Sequence, residues 1–131
     1  MSKTALKFLL PALLLTTTAF AAGKADVKVG TAIEKYEVTG ASDSFKVAPE
    51  TKLYAGAKIS GLENGTVTVV FSKEGTPESE SKVELKVPRS PYRTHAYKTF
   101  RAGDSGNWTV KVLGPDGAEL SSNNFKVEVS G

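Results

Sequence analysis

KLYAGAKISGLENGTVTVVFS, residues 52–72, is the stretch that decides the fold class. In its first half Leu53, Ala55, Ala57 and Ile59 share one side of an extended chain, with Tyr54, Lys58 and Ser60 on the other. In its second half Val67, Val69 and Phe71 alternate with Thr66, Thr68, Val70 and Ser72. A period of two marks strands with one buried and one wet face, whereas a helix repeats every three to four residues. The Val, Thr and Phe content suits a pleated, half-buried surface. Between the two runs, Asn64-Gly65 predicts a tight turn using positive φ angles.

The same pattern extends in both directions. Val27 and Val29 flank Lys28; Val83, Leu85 and Val87 alternate with Lys82, Glu84 and Lys86. Trp108, Val110 and Val112 stand opposite Thr109 and Lys111, and Phe125, Val127 and Val129 close the series. Breakers separate these runs. Lys73 to Ser81 (KEGTPESES) reads as a polar loop, Pro88 to Pro91 (PRSP) as a crossing, and Gly103 to Gly106 as a turn. Gly114-Pro115-Asp116-Gly117 reads as a hairpin turn. Residues 23–50 are less regular, with strand fragments around Ile33–Val38 and Phe45–Val47 and a turn at Gly40–Ser44. About seven to eight short strands without a helix predict an all-β, immunoglobulin-like antiparallel β-sandwich.

The chain opens MSKTALKFLLPALLLTTTAFA, residues 1–21. Lys3 and Lys7, the apolar run Phe8 to Leu15 and the small residues of Ala19-Phe20-Ala21 are the three parts of a secretory signal peptide. The run is shorter than the ~20 residues that span a bilayer. The expectation is therefore cleavage after Ala21, a single sandwich domain over 22–131, and a periplasmic or secreted protein not embedded in the membrane. Taking two lysines from the 17 basic residues leaves 15 against 14 acidic, a mature balance of +1. That balance removes the electrostatic footprint of a nucleic-acid binder.

Composition excludes several chemistries. With no cysteine, the chain has no disulfide, thiolate metal site or Cys nucleophile. A single histidine excludes any site built on two imidazoles. There is no Gly-x-Ser-x-Gly elbow and no phosphate-binding glycine loop. Asp104-Ser105-Gly106-Asn107 faintly resembles a calcium loop but lacks its further acids, and reads as a turn. No cofactor and no metal are expected. Ten Glu and four Asp leave room for a small two-carboxylate hydrolase, yet no pair stands out.

From Leu53 onward the chain resembles a bacterial family, domain of unknown function 2914. Four segments carry the likeness: LYAGAKISGL (53–62), VTVVFSKEG (67–75), YRTHAYKTF (92–100) and GNWTVKVLGPDGAEL with FKV (106–127). Arg93, Thr94 and Lys98 match the third segment's pattern, while His95, Ala96 and Phe71 depart from the residues usual there. The resemblance covers residues 53–127 and implies an exported sandwich of no assigned activity.

Two features stand as candidate sites. Trp108 lies on the Val110 and Val112 side of its strand, which favours core packing over a sugar-stacking platform. If Ala96 and Phe100 face the core, Arg93, His95, Tyr97 and Arg101 line the opposite face of one strand. Lys82, Lys86, Arg89 and Lys98 lie nearby in sequence, and the Glu74, Glu78 and Glu80 segment is the nearest source of neutralising charge. Basic side chains interleaved with Tyr suit an anionic polymer or an acidic envelope protein, against the alternative of a merely solvated sheet face. His95 as a general base or ligand lacks any partner motif and reads as a surface residue. The expected function is a non-enzymatic binding or structural module of the cell envelope. The alternatives are the hydrolase and a subunit that adds an edge strand, such as Val27–Val29, to a neighbour.

Overall fold

The computed structural model describes residues 23–62 and 64–130. The expected signal peptide, residues 1–21, and its cleavage point lie outside the described residues. Strands β1 (Lys24–Gly30), β5 (Thr51–Ser60) and β8 (Tyr92–Phe100) form a three-stranded antiparallel sheet in the order β1-β5-β8. The facing sheet runs β4 (Ser44–Val47), β10 (Glu119–Val129), β9 (Gly106–Leu113), β6 (Gly65–Lys73), β7 (Thr76–Val87). A separate hairpin, β2 (Ala32–Glu34) with β3 (Glu37–Thr39), completes the architecture.

The alternation read from the sequence is the burial observed. Leu53, Ala55, Ala57 and Ile59 point inward from β5, and Val67, Val69 and Phe71 from β6. Trp108, Phe71 and Phe100 are the largest fully buried side chains. The Phe100 and Trp108 rings meet edge to face at 5.0 Å, and the Trp108 Nε1–H donates to the Asp104 carbonyl at 2.8 Å. A satisfied indole N–H lets the whole ring be buried without stranding a donor. Trp108 is thus a core residue.

Several expectations are corrected. Lys73 to Ser81 is not a loop: Glu74 and Gly75 make a tight turn, Gly75 at φ 79°, and β7 begins at Thr76. Polar composition hid this because β7 is an edge strand, where Pro and charge are tolerated. Asn64 has the expected positive φ, 58°, but the connection carries the chain from one sheet to the other instead of closing a hairpin. The all-β, antiparallel sandwich expected from sequence is the fold observed, with one parallel pair in it, β4 with β10. Val70 points outward like Thr68 yet is 5% exposed. Its cross-strand neighbours are Lys82 and Lys111, whose aliphatic stems cover apolar surface while the amines stay wet.

The Val27–Val29 edge proposed for strand addition is occupied within the molecule. Its carbonyls accept from the Asn123 side-chain amide at 3.2 Å and from Ser42 N–H at 3.2 Å.

Candidate functional site

The outer face of the β1-β5-β8 sheet carries Lys28 and Asp26 from β1, Tyr54 and Lys58 from β5, and Arg93, His95 and Tyr97 from β8. The reason is parity, because Val27, Ala55, Ala57 and Ala96 take the inward positions. Across this face lies the β2–β3 hairpin, where sequence alone gave only a fragment. Gly56 and Gly30 are its seat, and a Cβ built at either would overlap the Val38 side chain. Ile33 also reaches Gly56. Glycine here serves close approach of a second layer, the usual meaning of a Gly inside a strand.

The hairpin turns at Lys35 and Tyr36 with φ of 51° and 67°. Both central residues of such a turn need positive φ, which normally selects Asn-Gly. A Lys and a Tyr held there store roughly 1–3 kcal/mol each, strain of a kind that collects at functional sites. Tyr36 is 78% exposed, and with Tyr97 at 49% it is one of two large exposed hydrophobic residues among those described. Both lie on this side of the sandwich.

Beneath the hairpin tip an open groove of about 610 Å³ is lined by Lys35, Tyr36, Lys58, Arg89, Tyr92 and Arg93, with Pro91. Its described lining includes four cations and two tyrosines and no carboxylate. Arg89 comes from the β7–β8 connection, which is tethered where Ser90 Oγ accepts the Gly61 N–H at 2.8 Å, and its guanidinium sits 5.5 Å from the Tyr92 ring centre. Arg93 makes an ion pair with Glu37 of the hairpin at 3.3 Å, tying the tip to β8. A narrower cleft of about 280 Å³ adjoins the groove and adds Lys28, Asp26 and Glu37.

Of the four residues expected from sequence, Arg93, His95 and Tyr97 share the outer face of β8, and Arg101 lies beyond its end. Arg93 joins the groove. His95 and Tyr97 flank Tyr54 at 6.2 and 5.8 Å, with Lys52 Nζ 4.7 Å from the Tyr97 ring centre. Arg101 lies past the end of β8 and pairs with Glu50 at 3.1 Å. Lys82 and Lys86 belong to the other sheet, and Lys98 turns inward over the Phe100 and Trp108 rings. Neutralising charge for these residues comes from Glu37 and Glu50, with Asp26 opposite Lys58 on the outer face, whereas Glu80 pairs with Lys82 on the other sheet. Sequence reasoning missed Lys35, Tyr36 and Lys58. Their signal was the pair Gly30 and Gly56 within strand patterns, which marks a layer laid on the outer face.

Asp104 closes its own turn, its carboxylate accepting the Arg101 N–H at 2.8 Å. Among the described residues no group of three His, Asp or Glu side chains is placed to hold a metal, and no helix is long and apolar enough to cross a membrane. A second depression, on the outer face of the five-stranded sheet, is lined by mixed charges and amides, including the Thr109–Asn124 hydrogen bond at 2.9 Å.

Residues 64–127 match the model of a family described as protein of unknown function (DUF2914). Of the four resembling segments, 53–62 precedes the matched stretch. The chain is similar in structure to an immunoglobulin-like protein from Pseudomonas aeruginosa, with a TM-score of 0.60 at 19% identity over 84% of this chain and 99% of that one. It is also similar to the sensor domain of an anti-sigma factor from Pseudobacteroides cellulosolvens, with a TM-score of 0.53 at 11% identity over 81% and 96% of the two chains. At these identities the likeness is one of fold. No curated protein matches the chain in sequence.

Proposed function

We propose that this immunoglobulin-like sandwich is an exported, non-enzymatic binding module of the cell envelope, whose groove under the β2–β3 tip holds an anionic polymer. One observation carries the reading: Lys35, Lys58, Arg89 and Arg93 converge on one groove with Tyr36 and Tyr92 and with no carboxylate in its described lining. Converging cations raise the local concentration of an anionic ligand, and the exposed Tyr36 ring offers a face to the ligand's backbone. The strain at Lys35 and Tyr36 supports it, since the turn holds a cation and an aromatic where glycine would be relaxed. Export rests on residues 1–21 as a signal peptide, with the periplasm or the outside of the cell as destination.

The non-enzymatic part has physical support as well. Asp26 and Glu37, the two carboxylates of the adjoining cleft, are both exposed, and Glu37 is engaged by Arg93. Apolar burial is one way to hold a carboxyl as a general acid, and neither of these two is buried.

Titration with heparin, a sulfated polyanion, tests the reading. Binding is expected to weaken as salt rises, since exposed charges are screened within about 10 Å at 0.1 M. Arg89→Ala with Arg93→Ala is expected to cut affinity at least about tenfold, and Arg101→Ala to leave it unchanged. Equal binding by the double variant, or no binding by the native protein, overturns the proposal.

A further inference from the structure

The sandwich has four terminal strands, and three are closed to further pairing. The β1 carbonyls of Val27 and Val29 are taken by Asn123 and Ser42. Strand β4 is only 4 residues long. Strand β8 carries the half-buried Lys98 at an inward position, 5.3 Å from the Trp108 ring centre. Occupied edges, short edges and inward charges are the ordinary ways of blocking unwanted strand pairing. Over its central part strand β7 is neither occupied nor short and carries no inward charge; the one such device it has is the exposed Lys82 and Lys86 of its outer face. The strand runs for 12 residues, ends the sheet order, and among the described residues makes no hydrogen bond beyond its pairing with β6.

Its outer face alternates in sign: Glu80, Lys82, Glu84, Lys86. The facing β6 residues are Val70 opposite Lys82, Thr68 opposite Glu84 and Thr66 opposite Lys86, so the neighbouring strand offers no complementary charge. The charge among them that finds a partner does so along its own strand, Lys82 with Glu80 at 3.7 Å. On the inner face Val83 and Leu85 are only partly buried against the core, unlike Val69 and Phe71 one strand further in.

We infer that β7 is a self-pairing edge, and that two copies of this chain join antiparallel along it, about a two-fold axis at Val83. Residues directly opposite in a strand pair point to the same face, so charged positions meet charged positions only in every second register. With Val83 opposite Val83, Glu80 meets Lys86 and Lys82 meets Glu84, and the symmetry repeats both pairs. Every charge from Glu80 to Lys86 then faces its opposite. Sliding the partner to the neighbouring same-face register one way puts Lys82 against Lys82 and Glu80 against Glu84. Sliding it the other way puts Glu84 against Glu84 and Lys82 against Lys86. Like charges directly opposite disfavour pairing, so the pattern selects one register and one orientation. On the inner face the same register sets Val83 on Val83 and Leu85 beside Ser81, covering the apolar side chains that the core leaves partly open. A C2 contact of this kind is self-complementary and closes on itself, fusing two five-stranded sheets into one.

An edge-strand interface is small, so a weak, concentration-dependent dimer is expected. Sedimentation velocity on the full chain over a concentration series reads it. The native chain is expected to dimerise, and Lys82→Glu and Glu84→Lys each to sediment as monomers. An equimolar mixture of the two variants is expected to recover the dimer, because one copy then presents two acids where the other presents two bases. A native chain that stays monomeric at every concentration overturns the inference, and so does a dimer indifferent to either reversal. A mixture that stays monomeric overturns the register. Should a reversal disturb the fold in circular dichroism, loss of the native dimer at high salt reads the same charges, and a salt-indifferent dimer overturns the charge pairing. The outcome is independent of the groove, which lies on the opposite sheet.

Discussion

Gly56→Val separates the hairpin from the sandwich beneath it. Gly56 faces outward between the buried Ala55 and Ala57, and a Cβ at that position would overlap Val38, which sits directly on it. The backbone of β5 stays suited to the substitution, because a β-branched residue fits a strand and glycine there costs roughly 0.5–1 kcal/mol of chain entropy. What is lost is the seat of the hairpin. Ile33 and Val38 are each half-buried. Full burial of such a side chain contributes about 1.5–3 kcal/mol, so two half-buried ones contribute about 2 kcal/mol of docking. An isolated two-stranded hairpin is marginal in water, so the undocked β2–β3 has little to hold it. Losing about 2 kcal/mol lowers the docking equilibrium constant about thirtyfold, at 1.4 kcal/mol per tenfold, and groove affinity falls with the docked fraction. The global loss is smaller, about 1 kcal/mol after the gain in strand propensity, or a fall in Tm of about 4–8 °C for a domain of this size. Hydrogen exchange checks the mechanism, with amides in Ile33–Val38 losing protection while those of β5, β6 and β9 keep theirs. Unchanged protection with unchanged heparin affinity would refute the seat. Global unfolding would show that the sheet itself, and not the hairpin, requires glycine.

Two further perturbations test the core and the turn. Trp108→Ala empties a position 1% exposed, so a loss of about 3–5 kcal/mol is expected, seen as a large drop in Tm by circular dichroism. Lys35→Asn with Tyr36→Gly supplies the residues that positive φ prefers and relieves strain, so chemical denaturation should show a gain of about 1–2 kcal/mol. The same variant should bind heparin less tightly, because it removes a groove cation and the exposed ring.

The strands were legible wherever one face meets the core and the other meets water. That condition holds for β5, β6, β9 and the end of β10, where the inward residues named from period two are buried except the partly buried Val129, and Val70 is buried although it faces outward. Strand β7 defeated the pattern at its start, where the sequence is polar and the strand lies at the edge of its sheet. The hairpin defeated it for a different reason. Three-residue strands are too short to show a period, and Lys35-Tyr36 is not a turn sequence that propensity would select. Arg93 was legible as an exposed cation on β8, and so was its facing. The identity of its neighbours was not, because Lys35 and Arg89 reach the groove from connections whose course depends on Gly56, Gly30 and Ser90. Arg101 was grouped with Arg93 by alternation alone, and alternation stops carrying information where the strand ends at Phe100.

The contrast between the two layers explains why the proposed site lies at the hairpin and not on the sheet. The sandwich is held by fully buried side chains around Trp108, Phe71 and Phe100, and opening it means opening the whole domain. The hairpin is held by two half-buried aliphatics, the closing Thr31 N–H to Thr39 carbonyl bond at 3.0 Å, and the exposed Arg93–Glu37 pair. Exposed pairs contribute at most about 1 kcal/mol, so docking is the weak link of the structure and the strained tip works against it. A ligand that bridges Lys35 and Tyr36 on the tip to Lys58, Arg89 and Arg93 on the sandwich binds only the docked form. It therefore stabilises that form by its own binding free energy. Polyanion binding should accordingly protect the Ile33–Val38 amides while leaving the exchange of β5 and β9 unchanged. Because Glu37 competes for Arg93, Glu37→Gln frees the guanidinium for ligand and removes one hairpin tether. Since an exposed pair contributes at most about 1 kcal/mol as a tether, heparin titration of that variant is expected to show tighter binding than the native chain, and weaker binding would show that the tether matters more.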